Sequence, residues 1–433
     1  MNKMPSLVSW ALKFTVGCLI LATAWVTWDN WGRFSFQFDT PQTEASDTPA
    51  PHTLAQGEYL VRISGCMACH TSNGGEPLAG GRRIDTPFGP VFSSNLTPSR
   101  THGIGAWTLA DFQTALRWGR SRDGHLLLPA FPYNHTSVFT PKDVQAMFAW
   151  LQSTKPVDVA RPAHQLTWPV GTQPVIAVWR SLYFSPTPFK SNEQQSDVWN
   201  RGAYLVQSAG HCAACHGQRN ALGSFPAVDD LSGGFLPSQM WVAPSLLNPT
   251  QTTLARSSDQ DIAQLLRAGQ NASASVSGPM AEFVQHVGQH LSVADSLAIA
   301  TYLKSRIEPS SHNAKIHSAA LASSTPAAQT IYANHCATCH GDNGEGKAGR
   351  YPSLAGNPAV VLAQPDNLIQ MALYGGYGPS THDRPRPYGM PPYLFTLNNQ
   401  QIADVLNHIR SQWGNQAPAV SPVQVDRARA AAY

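Results

Sequence analysis

Apolar residues crowd the N-terminus and then disperse. From Leu7 to Trp28 the chain is apolar almost throughout, with Lys13 its only charged residue. Such a stretch spans about 33 Å as a helix, enough for the hydrocarbon core of a bilayer. Beyond it, apolar positions fall into short stretches of helical period that return in three rounds. Each round opens on a helix bearing a tyrosine: Ala55 to Val61 with Tyr59, Asn200 to Val206 with Tyr204, and Gln329 onward with Tyr332. A middle helix follows in each (Asp111 to Arg117, Asp261 to Arg267, Asn367 to Leu373). A closing helix ends each round, at Val144 to Leu151, Ala294 to Leu303 and Ile402 to Ile409. The starts Thr140-Pro-Lys-Asp143 and Ser292-Val-Ala-Asp295 read as capping boxes for the first two closing helices.

Self-similarity of this extent means three copies of one small, mainly α unit. The pattern divides the chain into an N-terminal anchor (1–30), a linker (31–54), domain one (55–156), a linker (157–192), domain two (193–306), a linker (307–327), domain three (328–415) and a tail (416–433). The linker from Val157 to Phe189 is rich in Pro, Trp and Val and is expected to pack along a neighbouring domain or subunit. No sustained apolar face runs through Ala417 to Tyr433.

Chemistry enters just after each first helix. Cys66-Met-Ala-Cys69-His70 recurs as Cys212-Ala-Ala-Cys215-His216 and as Cys336-Ala-Thr-Cys339-His340. C-x-x-C-H is the attachment sequence of c-type haem: two thiols add across the vinyl groups, and the adjoining histidine binds the iron. A zinc or thiol-redox reading needs weighing, because paired cysteines also serve those chemistries. Three identical pairs, however, cannot close evenly into four-cysteine sites, and each carries its histidine. Three covalent haems c are therefore expected. The chain has 7 cysteines; the one outside the motifs, Cys18, lies in the apolar N-terminus, so no structural disulfide is expected.

Each iron needs a sixth ligand or an open position. Met280 in Ser277-Gly-Pro-Met280 and Met390 in Tyr388-Gly-Met390-Pro-Pro occupy matching places in rounds two and three. A thioether there is a soft ligand that raises the potential. Core filling is the alternative use of a methionine. Round one breaks the pattern, with Phe131 where the methionine should stand. His135 follows His70 at nearly the interval that separates Met280 from His216. Three alternatives stand for this iron: His135, one of His102 and His125, or no protein ligand.

Charged residues make up 13% of the chain, against about 25% in typical soluble proteins. The net charge is +3, with no basic patch of the kind that binds nucleic acid. The N-terminus has two readings. It is either a signal peptide cut after Ala22-Thr-Ala24, or a retained anchor with Lys13 snorkelling and Trp25, Trp28 and Trp31 at the outer face. We take the anchor as the expectation. Both readings export the rest of the chain.

The helix, motif, loop and helix order resembles class I cytochrome c domains. With Asn95-Leu-Thr-Pro98, Gly103-Ile-Gly-Ala-Trp107, Gly278-Pro-Met280 and Met390-Pro-Pro392, the chain resembles the membrane-bound triheme cytochrome c subunits of bacterial quinone-reducing dehydrogenases. The resemblance covers Ala55 to Trp413. It implies an electron carrier without substrate chemistry, held on the periplasmic side of the inner membrane. It also implies a catalytic dehydrogenase subunit as partner and ubiquinone as acceptor. In alcohol dehydrogenase relatives using pyrroloquinoline quinone the first domain usually has a methionine at the place of Phe131. The form Pro129-Ala-Phe-Pro-Tyr-Asn-His135 looks more like subunits serving molybdopterin aldehyde dehydrogenases, which implies a small iron–sulfur subunit as well. Alternative partners are alcohol or flavin sugar dehydrogenases. Two other classes of function remain: a peroxidase-like enzyme with an open first haem, and a soluble periplasmic shuttle.

Overall fold

The computed structural model describes residues 7–32, 50–224, 227–236, 239–271, 274–308 and 320–430, with side chains from Lys13 onward in the first of these. Helix α1 covers Leu7–Thr27 and ends in a wider turn, Trp28–Gly32. Among the described residues no helix is long and apolar enough to cross a membrane. From Lys13 to Thr27 the rise is about 22 Å. The linker residues 33–49 and 309–319 lie outside the described residues.

Three helical units follow. The first holds α2 (Pro51–Ile63), α3 (Leu109–Trp118) and α4 (Pro141–Ser153). Helix α5 (Gln173–Tyr183) comes next, within the residues read as a linker. The second unit holds α6 (Asp197–Gln207), α7 (Asp259–Ala268), α8 (Gly278–His286) and α9 (Val293–Ser305). The third holds α10 (Pro326–His335), α11 (Asp366–Tyr374), α12 (Asn399–Ser411) and α13 (Pro422–Ala430). In each unit the first helix packs on the closing one: α2 on α4, α6 on α9, α10 on α12. Glycine sets the closeness of the first two crossings. A Cβ on Gly57 would stand 2.0 Å from the Ala146 carbonyl oxygen, and one on Gly202 would stand 2.0 Å from that of Ala298. Helix α10 has no glycine.

The residues read as a tail are not loose. Arg410, fully buried, donates to the carbonyls of Val360 (2.6 Å), Leu362 (2.8 Å) and Pro418 (2.9 Å). Helix α13 then buries Val425 and Ala428 in the third unit's core. Two small residues suffice for this seat, which is why the segment shows no apolar stripe.

Units one and two share one continuous core, which runs from Leu60 and Phe139 through Tyr204 and Leu205 to Tyr302, while unit three has its own. Their junction is an exchange of tyrosines. Tyr59 of α2 donates to Asp295 at the start of α9 (2.6 Å), and Tyr204 of α6 donates to Asp143 at the start of α4. In return, the Ser292 N–H donates to the Tyr59 oxygen (3.2 Å) and the Thr140 N–H to the Tyr204 oxygen (3.3 Å). The capping boxes expected at Thr140 and Ser292 are thus only half formed within their own helices. Each cap hydroxyl accepts from its aspartate's N–H, but the carboxylate reaches the other unit's tyrosine instead of its own cap backbone. Complete boxes form at Thr108/Asp111, Ser258/Asp261 and Asn398/Gln401. Unit three, with Gln401 in the place of the aspartate, closes its own box, and its Tyr332 donates to its own Gly341 carbonyl (2.6 Å). It meets unit two through polar contacts, chiefly a two-way amide bond of Asn367 with the backbone of Val242 (2.7 Å each way).

Arg201 completes one half of the exchange with two bonds to Asp295 (2.8 Å each). Burial works to raise the Asp295 pKa, but the Arg201 and Tyr59 bonds outweigh it and hold the carboxyl below its ordinary value. Its contribution is therefore complete above the unfolded carboxyl range, near pH 4, and is lost as pH falls through the folded value. We predict that Asp295→Asn costs about 1–3 kcal/mol at pH 7. Denaturation curves of the two proteins should converge well below pH 4; equal stability at pH 7 would contradict this role.

Candidate haem-attachment site

Each C-x-x-C-H segment folds as a single helical turn after the first helix of its unit: Cys66–Cys69, Ala213–His216 and Ala337–His340. No disulfide joins any of the cysteines. Burial first, and the second thiol of each pair next, pushes the leading thiols up, Cys66 and Cys212 to about 12 and Cys336 to about 11. Thiols this poorly ionised are slow in disulfide exchange. Among the described residues no three His, Cys, Asp or Glu side chains gather to hold a metal ion, so the pairs do not combine into zinc sites.

The three histidines are held alike. Nδ1 of His70 meets the Ser94 carbonyl (2.6 Å), that of His216 the Pro244 carbonyl (2.8 Å), and that of His340 the Pro352 carbonyl (3.0 Å). An Nδ1–H that donates to a carbonyl fixes the tautomer and leaves Nε2 as a lone-pair donor. Burial lowers all three pKa values, against the smaller opposing effect of the carbonyl. The rings are neutral, as an iron ligand must be.

A glycine draws each loop into place. The N–H groups of Gly80, Gly233 and Gly346 donate to the carbonyls of His70, His216 and His340, each at 2.7 Å. All three have positive φ (77°, 97° and 70°). A Cβ on Gly346 would stand 2.7 Å from the carbonyl carbon of Pro352, the acceptor for His340, and one on Gly80 would stand 2.5 Å from that of Ser94. Sequence reasoning missed these glycines, because their distance from the motif differs in every unit. It also missed two arginines that clasp the motif turns. Arg82 donates to the Ala68 carbonyl (3.0 Å) and Arg219 to that of Ala214 (2.5 Å).

The expected sixth ligands occupy different settings. Met280 stands in the first turn of α8, after Gly278, whose Cβ position lies 2.6 Å from the Trp241 ring. Met390 lies in a two-residue strand, β2 (Gly389–Met390), paired antiparallel with β1 (Gly376–Tyr377). Both methionines are half-buried. In unit one, Phe131 packs against the shared core, and His102 and His125 sit at the surface, His125 against Asp123 (2.5 Å). His135 is fully buried. It lies on the seam of units one and two, with Nδ1 2.7 Å from the Gln207 carbonyl and its ring centroid 6.1 Å from that of His211. Burial, and next the His211 ring, lowers its pKa to about 3. The same seam brings two motif turns together. A Cβ on Gly65 would lie 3.8 Å from the His211 ring, directly ahead of Cys212.

A pair of free thiols, an adjoining neutral histidine with Nδ1 secured, and a glycine-tightened loop fit covalently held haem, and the fold and site together define a c-type cytochrome. Residues 326–413 match the family described as cytochrome c. The chain is 39% identical over 396 residues to the "Alcohol dehydrogenase (quinone), cytochrome c subunit" of Komagataeibacter europaeus, covering 87% of this chain and 84% of that one. It is 36% identical over 392 residues to the "Gluconate 2-dehydrogenase cytochrome c subunit" of Pantoea cypripedii (87% and 89%). It is 36% identical over 405 residues to the "Fructose dehydrogenase cytochrome subunit" of Gluconobacter japonicus (87% and 83%). The chain belongs to the family of cytochrome c subunits of quinone-linked dehydrogenases. The expected closeness to aldehyde dehydrogenase subunits is not carried by these names.

Gly346→Ala puts a side chain at φ +70° against the Pro352 carbonyl. It should lower haem attachment at the third motif, read as unmodified Cys336/Cys339 peptide by mass spectrometry. Full attachment with an unchanged spectrum would show that the glycine does not govern the loop.

Proposed function

We propose that the chain is the triheme electron-transfer subunit of a membrane-bound periplasmic dehydrogenase, carrying electrons from a catalytic subunit to ubiquinone. The observation that carries this reading is the threefold arrangement of motif turn, secured histidine and glycine-drawn loop. Haem c at each motif would supply one-electron chemistry. The residues assigned to it are Cys66, Cys69 and His70; Cys212, Cys215 and His216; and Cys336, Cys339 and His340. On this reading each unit is one class I cytochrome c domain.

Met280 and Met390 are the proposed sixth ligands in the second and third domains. His135 is proposed for the first. Its burial, its neutral state and an Nδ1 set on a carbonyl, as in the proximal histidines, support that choice. A His/His first haem would have a lower potential than two His/Met haems.

For the catalytic partner we favour a molybdopterin aldehyde dehydrogenase with a small iron–sulfur subunit, on the strength of Phe131 and its loop. The relatives' names favour a second reading, in which the partner oxidises an alcohol or a sugar acid or sugar. Anchoring by α1 at the inner membrane is supported by its exposed apolar side chains, among them Phe14, Leu19, Ile20 and Leu21 at 62–75% exposure.

Two measurements test the proposal. Low-temperature EPR of the oxidised protein should contain a bis-histidine low-spin signal that His135→Ala replaces with a high-spin one. An unchanged spectrum removes His135, and a high-spin, cyanide-binding haem in the wild type reopens the peroxidase alternative. Purification of the complex through this chain should bring down a molybdenum- and iron–sulfur-containing oxidoreductase; pyrroloquinoline quinone or flavin in its place decides for the second reading.

A further inference from the structure

Helix α5 has two unlike faces. Inward, Ile176 and Ala177 form a small core with Leu126, Val26 and Trp31. Beside them the nearly buried Arg180 donates to Asn30 (2.9 Å), to the Trp118 carbonyl (2.6 Å) and to the Gly119 carbonyl (3.3 Å). Its guanidinium lies 4.9 Å from the centre of the Tyr133 ring, two residues from His135. Asn30, in the turn that ends α1, donates in turn to the Ala177 carbonyl (3.0 Å) and Ser181 (2.8 Å). The exit of α1 is therefore pinned to α5, and through α5 to residues 129–135 of the first unit, its distal loop in that it carries the proposed sixth ligand His135.

Outward, Val175, Val178 and Leu182 form one exposed stripe at i, i+3 and i+7. Leu182 is 58% exposed, and Trp168, just upstream, is 84% exposed. Across the whole run from Leu166 to Phe189 the only charged residue is Arg180, which is turned inward. Water-facing helices ordinarily carry charge on the outer face. This one presents aliphatic side chains, flanked by Trp168 and by Trp25 and Trp28 at the end of α1, which are 46% and 52% exposed. Tryptophan prefers the boundary between lipid and water.

We propose that α5 is a second membrane contact: an interfacial helix that lays Val175, Val178 and Leu182 into the outer leaflet beside the exit of α1. The proposal rests on the reading of α1 as an anchor. Its occupant is lipid and not a protein partner because the face carries no charge, has exposed tryptophans near it in the chain and at the end of α1, and belongs to the helix on which the exit of α1 is pinned. The contact seats the first unit, with its distal loop, closest to the bilayer, where a membrane-dissolved acceptor would meet it.

The test uses the full haem-loaded chain in phosphatidylcholine vesicles doped with a diazirine-tailed phosphatidylcholine. After photolysis, lipid adducts are mapped by peptide mass spectrometry. Adducts should appear on both α1 and Gln173–Tyr183. The variant Val178→Glu/Leu182→Glu should lose those on α5 by about an order of magnitude while keeping those on α1. Adducts on α1 alone would overturn the proposal and leave the anchor standing, with the stripe facing water or a protein. Adducts on neither would overturn both.

Discussion

An imidazole binds iron through Nε2 when it is neutral, and a hydrogen bond at Nδ1 fixes the tautomer and orientation that ligation uses. His70, His216 and His340 meet both conditions before any haem is considered, through burial and a backbone carbonyl at Nδ1. Much of the surrounding architecture serves that bond. The carbonyls come from loops that only a left-handed glycine can draw so close, and the motif turns hang from helices whose packing fixes their direction.

The three units are repeats in sequence but not equal partners in space. Units one and two exchange Tyr59 and Tyr204 so that each completes the other's helix cap, and they share one apolar core. Unit three replaces the aspartate with Gln401, keeps Tyr332 for itself and docks by polar groups. The first two motif turns are thereby held as a fixed pair, with Gly65 against His211. A fixed separation would favour electron transfer between the haems proposed there, whereas the third unit is joined by an interface of the kind that tolerates movement.

Much of this was legible in the sequence. The helix trios, the motifs and the N-terminal apolar run could be read from periodicity and spacing, since those follow from local rules. The exchange of tyrosines could not, because Asp143 and Asp295 look like capping acids, and only tertiary packing brings a stronger partner to each. The difference between those aspartates and Gln401 was the available clue. The seat of α13 was hidden for a similar reason: Arg429, inside that helix, secures it on the backbone carbonyls of Leu394 and Leu397, which carry no sequence signature. His135 was chosen by interval, yet the structure brings it to Gln207 and His211 across the seam, a contact between units that interval cannot reveal.

The proposed function requires three covalently held haems in one chain, each with its own secured histidine. Intact-mass spectrometry of the denatured protein, paired with its pyridine haemochrome spectrum, counts them directly. The mass should exceed that of the polypeptide by three haems, and replacing both cysteines of any one motif with alanine should remove a single haem. A wild-type chain carrying fewer than three would contradict the account.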